Sequence, residues 1–153
     1  MKKYDRLIFV SNSDTTLGPM AEAILQSKFL LDELEVTSRG LVVLFPEPIN
    51  PKAEAVLVSN GLTMKQHMSA PLLKEDFDKR TLILATSRSV QQKLLSQFEE
   101  AAGVRVLNEF VGEEHEVMNP YGGELVDYGQ SFTELNALIT KLVLKLNEEE
   151  LLC

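Results

Sequence analysis

YDRLIFVSNSDTTLGPMAEAIL, residues 4–25, joins three kinds of chain in succession. YDRLIFV (4–10) ends in four consecutive apolar residues, the run expected of a parallel strand buried on both faces. Residues 11–17 are mostly small and polar, and read as a loop. Gly18-Pro19 then opens a helix, with proline in the first turn, where its missing N–H leaves no bond unmade. Met20, Ala23, Ile24, Ser27 and Leu31 share one face, and the pattern predicts a helix running to about Leu34.

The same alternation continues outward from this unit. VTSRGLVV (36–43) is strand-like at its start, and FPEPIN (45–50) is rich in turn residues. Asn50-Pro51 starts a second helix that stops at Gly61. LKEDFDK (73–79) reads as a short helix and TLILAT (81–86) as a buried strand. Ser87 is placed to cap a helix with Val90, Leu94, Phe98 and Ala101 inward, ended by Gly103. VRVL (104–107) is the last strand, and a long loop leads to a C-terminal helix with Leu135, Leu138, Ile139, Leu142 and Leu146 on one face. Strand alternating with helix predicts an α/β fold, a four-stranded parallel sheet with helices on both faces in a Rossmann-like three-layer arrangement. Residues 1–153 are expected to form one domain. Working sites in such sheets lie at the carboxyl ends of the strands, here the loops after Val10, Ser38, Thr86 and Leu107.

Composition narrows the function classes. Hydrophobic residues make up 44% and charged residues 25%, as in soluble globular proteins. No apolar run approaches the roughly 20 residues of a membrane span, and the first residues carry no cleavage site, so no signal peptide is expected and the location is expected to be cytoplasmic. A net charge of -8 argues against nucleic acid, whose phosphates need a concentrated positive surface. The one cysteine, Cys153, excludes an internal disulfide and a multi-cysteine metal site, and no cofactor or metal is expected.

The loop between strand and helix is a natural anion cradle, built from backbone N–H groups and the positive end of a helix dipole. Its sequence makes the signal specific. LIFVSNSDTTLGPMAEAIL resembles the phosphate-binding loop of the low-molecular-weight protein tyrosine phosphatases, which is a cysteine, five residues, an arginine and a serine or threonine, running into a helix like PMAEAIL. Ser38-Arg39-Gly40, His67-Met68-Ser69, Thr81–Arg88 and Asn119-Pro120-Tyr121-Gly122-Gly123 resemble later segments of that family in the same order. The likeness is strong to bacterial members, including the protein arginine phosphatases, whose threonine in the loop matches Thr15. Arsenate reductases share the scaffold but need cysteines that this chain does not have.

The resemblance implies a degenerate site. The nucleophile position is Ser11, the arginine position Leu17 and the general-acid position Asn119; Asn12, Ser13, Asp14, Thr15, Thr16 and Gly18 complete the loop, with Asp14 in place of the family's asparagine and Gly18 in place of its serine or threonine. A serine hydroxyl stays protonated where a thiolate would attack. Leucine supplies neither a donor nor a charge to the phosphoryl group, a loss on the order of 10³-fold. A missing general acid removes roughly 10²- to 10⁴-fold. Arg39, in place of a small residue, and Arg88 are candidates to return positive charge, while Phe45, Pro46, Pro48 and Tyr121 are candidates to line a remodelled pocket. His67 and His115 read as structural or exposed. Three expectations compete: a pseudophosphatase that binds a protein or phosphoprotein segment as monomer or weak homodimer, a residual phosphatase working through Ser11, and a binder of another small ligand.

Overall fold

The computed structural model describes residues 3–150, so Cys153 lies outside the described residues. β1 (Arg6–Ser11) takes the centre of the sheet, and Leu7, Ile8, Phe9 and Val10 have no exposed surface. Each such side chain contributes roughly 1.5–3 kcal/mol by leaving water. α1 (Leu17–Gln26), β2 (Glu35–Gly40), α2 (Pro51–Ser59), β3 (Thr81–Ala85), α3 (Arg88–Gln97), β4 (Arg105–Val106), the short α4 (Leu107–Phe110) and α5 (Leu125–Lys145) follow. The strands are all parallel in the order β2-β1-β3-β4, with Phe9 opposite Ser38 and Leu84.

Strand periodicity of two divides the core. Leu7, Phe9, Leu82 and Leu84 face one way, onto residues of α1, α2 and α5 that include Met20, Ile24, Leu57, Leu135 and Ile139. Ile8, Val10, Ile83 and Ala85 face the other way, onto Val90 and Leu94 of α3 with Ala101 and Val104. The fold is therefore the expected parallel sheet covered on both faces. Two helix starts are capped as the sequence implies: Asn50 Oδ1 accepts from Lys52 N at 2.8 Å and Ala53 N at 3.3 Å, and Ser87 Oγ accepts from Val90 N at 3.2 Å. Gly61, at φ 77°, ends the second of the predicted helices in the left-handed conformation.

Four boundaries correct the sequence reading. α1 stops at Gln26 rather than Leu34, because Ser27 Oγ turns back onto Ile24 O at 2.6 Å and the chain leaves the helix; Leu31, expected inward, is exposed. β2 ends at Gly40, and residues 41–42 follow the loop instead, with Leu41 N donating to Ser11 O at 3.0 Å and Val42 N to Asn12 O at 2.9 Å. α3 breaks at Phe98, where φ -132° and ψ 126° are extended, before a 3₁₀ turn at Glu99–Gly103. Phe98 leaves the helix to pack its ring 5.1 Å from that of Phe77. β4 has two residues because Leu107 already begins α4.

Candidate functional site

Residues 11–16 leave the carboxyl end of β1 and wrap into the start of α1. Several contacts fix the loop's course. Asp14 N donates to Ser11 Oγ at 3.2 Å, Ser13 Oγ and Thr15 Oγ1 are 2.7 Å apart, and Asn50 N donates to Thr15 O at 2.8 Å. A Cβ added to Gly40 would stand 3.0 Å from the Ser13 carbonyl carbon, so the loop rests on bare backbone there.

Asp14 is the pivot. It has no exposed surface and sits at φ 60°, a conformation that Asp and Asn tolerate and most residues do not. Its Oδ2 accepts from Ala70 N at 3.0 Å, and His67 Nε2–H donates to its backbone oxygen at 2.7 Å, which sets the imidazole tautomer. Asp14 Oδ1 has no hydrogen-bond partner among the described residues. Burial pushes the Asp14 carboxyl above its ordinary range, against the opposing pull of the Ser38 hydroxyl, the Ala70 N–H, His67 and Arg39. Glu22 of α1 is pushed up as well, chiefly by burial and also by Asp14, while Ser38, His67 and Gln26 pull it down.

Above the loop lies a cavity of about 350 Å³, lined by Ser11, Asn12, Ser13 and Thr16 from the loop, Leu17 at the start of α1, Thr86 and Ser87 from the β3–α3 turn, Val90 of α3, and Glu116–Asn119 from the segment before α5. The structure thus brings Ser11, Leu17 and Asn119 to one cavity from opposite ends of the chain. Asp14, Thr15 and Gly18 lie outside its lining, beneath or beside it. Leu17, only 5% exposed, belongs to the main hydrophobic core, so the cavity stays open rather than being filled by its isobutyl group. Asn119 Oδ1 accepts from Tyr121 N at 3.1 Å, and Ser131 Oγ holds the same segment through Met118 O at 2.8 Å.

The remaining candidates are placed elsewhere. Arg39 is opposite Val10 in the sheet register, one residue out of phase with Ser38, so strand alternation sends it to the other face. There its Nη1 donates to Ser38 O at 2.7 Å and its Nε stands 4.0 Å from Asp76 Oδ2. Arg88 reaches Glu109 Oε2 at 2.7 Å. Phe45 and Tyr121 are 63% and 73% exposed and do not line the cavity. No lysine or arginine side chain lines it among the described residues. Glu116 does, a residue not singled out in the sequence, and its Oε2 accepts from Arg88 N at 2.7 Å. The strand-end rule pointed to its loop, but nothing local in the sequence pointed to that glutamate.

The pattern of the family described as low molecular weight phosphotyrosine protein phosphatase matches residues 6–151. The chain belongs to that family. Its likeness to the protein-arginine-phosphatase of Geobacillus stearothermophilus is 32% identity over 147 residues, 95% of this chain and 98% of the relative. The low molecular weight protein-tyrosine-phosphatase PtpB of Staphylococcus haemolyticus is 31% identical over 90% of this chain and 96% of its own. Among solved structures, a mutant of the YwlE arginine phosphatase, with serine in place of cysteine and that active-site serine phosphorylated, superposes with a TM-score of 0.85 at 31% identity, covering 94% of this chain and 97% of that one. Among the described residues no helix is long and apolar enough to cross a membrane.

Proposed function

We propose that this phosphatase-family chain is a pseudophosphatase, a module that binds a protein segment at the loop cavity and does not turn over phosphoryl groups. One observation supports the reading: a single cavity is lined by Ser11, Leu17 and Asn119, the residues to which the family resemblance assigns the thiolate, guanidinium and carboxylic acid positions. A phosphoryl transfer needs a nucleophile activated by lowered pKa or by a base, and a cation facing the equatorial oxygens. The Ser11 hydroxyl has no side-chain base hydrogen-bonded to it among the described residues; its contact is the Asp14 N–H. The nearest imidazole is committed to the Asp14 carbonyl. An asparagine amide does not donate a proton to a leaving group.

Para-nitrophenyl phosphate and phosphoarginine test this directly. The wild-type chain is expected to release no more phosphate than a Ser11→Ala variant. Turnover comparable to that of an active relative, abolished by Ser11→Ala, overturns the reading.

A second reading is favoured by the relative whose active-site serine is phosphorylated. In it Ser11 accepts a phosphoryl group and keeps it, because an oxygen ester without a general acid hydrolyses slowly. Intact-mass analysis after exposure to a phosphoryl donor separates the two: the binding module stays unmodified, whereas the trap gains one phosphate on Ser11.

A further inference from the structure

Beneath the loop, buried acceptors outnumber donors. The Asp14 side chain has no exposed surface; its Oδ2 accepts from Ala70 N at 3.0 Å, and its backbone oxygen accepts from His67 Nε2 at 2.7 Å. Its Oδ1 has no hydrogen-bond partner among the described residues. Gly18, beside it, has no side chain to supply one: a Cβ there would stand 3.2 Å from Asp14 Oδ1 and 3.0 Å from Ser11 Oγ. The neighbouring hydroxyl is that of Ser38, itself buried and without an aligned partner. It pulls on two carboxyls, those of Asp14 and of Glu22 in α1, and has one proton to give. One acceptor is therefore left over whichever way the hydroxyl turns, and an unpaired buried oxygen is costly. The two carboxyls also repel, Asp14 adding to the upward push that burial gives Glu22. The cluster has its own way to solvent. A second cavity, of about 490 Å³, is lined by Glu22 and by residues 63–67, His67 among them. Asp14, Glu22 and His67 are all outside the lining of the first cavity.

We infer that Asp14 and Glu22 hold one proton in common through Ser38, and that its uptake from the second cavity resets the loop that floors the first. The added proton is the missing donor: Asp14 Oδ1–H gives to Ser38 Oγ, and the Ser38 hydroxyl gives to Glu22. Without that proton Asp14 keeps a bare charge under the loop. Asp14 N donates to Ser11 Oγ at 3.2 Å, so a movement of Asp14 reaches a hydroxyl in the wall of the first cavity. The other charged groups facing the pair are His67, 3.7 Å from Asp14 Oδ2, and Arg39 of β2, whose Nε stands 4.0 Å from Asp76 Oδ2. Both favour the charged form of Asp14, and burial opposes them. Gln26 Nε2 holds Glu22 Oε2 at 3.1 Å from the same helix. The state of the first cavity is thus tied to pH by groups that its occupant does not touch, whatever that occupant is.

Carboxyl-carbon and backbone-amide NMR, recorded together on the full chain from about pH 4 to 8, test this. In the wild type Asp14 and Glu22 are expected to titrate as a coupled pair above their ordinary values, and the amides of residues 11–18 are expected to move with the same midpoint. Glu22→Gln removes the repelling partner and is expected to lower the Asp14 midpoint. Ser38→Ala removes the shared hydroxyl and is expected to raise both midpoints. Glu116→Gln, in the wall of the first cavity, is expected to leave the loop's midpoint where it is. Loop amides that stay still while the two carboxyls titrate overturn the inference on the wild-type chain alone. So does an Asp14 midpoint that does not respond to Glu22→Gln, which would mean two independent groups. A loop response that disappears in Glu116→Gln places the proton in the first cavity and overturns it as well.

Discussion

The two sides of the loop differ in kind. On its outer side Ser11, Leu17 and Asn119 line a cavity that has no thiol and no cation in its wall among the described residues and whose one carboxylate, Glu116, accepts from Arg88 N. On its underside Asp14, Ser38, His67 and the Ala70 N–H form a close-set polar support that holds an unusual backbone conformation. The outer side takes its shape from the contacts made underneath. A cradle of backbone N–H groups depends on loop geometry and helix start, and neither needs the nucleophile or the arginine. Scaffold and reactivity are separable here, and each side can be altered while the other is watched.

The largest effect comes from rebuilding the outer side. The triple variant Ser11→Cys, Leu17→Arg, Asn119→Asp restores nucleophile, cation and acid on an unchanged loop. Its hydrolysis of para-nitrophenyl phosphate is expected to exceed wild type by about 10³-fold or more. A triple variant that folds and stays as inactive as wild type would show that the underside no longer supports a competent loop. His67→Ala attacks the underside alone. It leaves the buried Asp14 carbonyl unpaired and is expected to cost about 1–3 kcal/mol in urea denaturation, with the loop amides showing the largest shifts.

Asp14→Asn sharpens the comparison through pH. The folded-state pKa of Asp14 is raised above its ordinary 3.8, so its stabilising contribution is full at low pH and is lost as pH rises past 3.8 toward the raised value. The asparagine variant removes that loss and supplies a donor beside Ser38. It is expected to be more stable than wild type at pH 7 by about 1 kcal/mol, and to converge with or fall below it near pH 4. Glu22, raised for the same reason, keeps a residual slope in both proteins. An equal gain at every pH would show that Asp14 does not titrate in this window. Arg39→Ala should matter least, under about 1 kcal/mol in thermal unfolding and without effect on the cavity's ligands, since its ion pair with Asp76 is long and partly solvated.

Local chemistry made most of the fold legible. The apolar run 7–10, the Asn50-Pro51 start and the Ser87 cap act over a few residues, and the structure keeps each of them. The failures are long-range. Leu31 continues the α1 period, but the chain has left the helix by then, and it is Leu30 that packs on the core while Leu31 stays exposed. Phe98 leaves its helix for the ring of Phe77, which joins it against the same face of the core from an earlier part of the chain. The residues resembling the family's loop were visible by their spacing. The Asp14–His67 bond joins residues 53 apart, and Glu116 reaches Arg88 across 28, so neither leaves a mark in any short window. Arg39, a candidate for the pocket, pairs with Asp76 instead, because its phase in β2, rather than its proximity to the loop, decides its face.

β1 being an interior strand also has a temporal side. Its two neighbours are later in the chain, and the second, β3, begins only at Thr81. During synthesis, at roughly 5–20 residues per second, this apolar strand therefore waits for seconds with an unsatisfied flank. The acidic and polar residues on either side of it, Asp5 and Ser11–Thr16, then act as the nascent chain's own protection against misassociation.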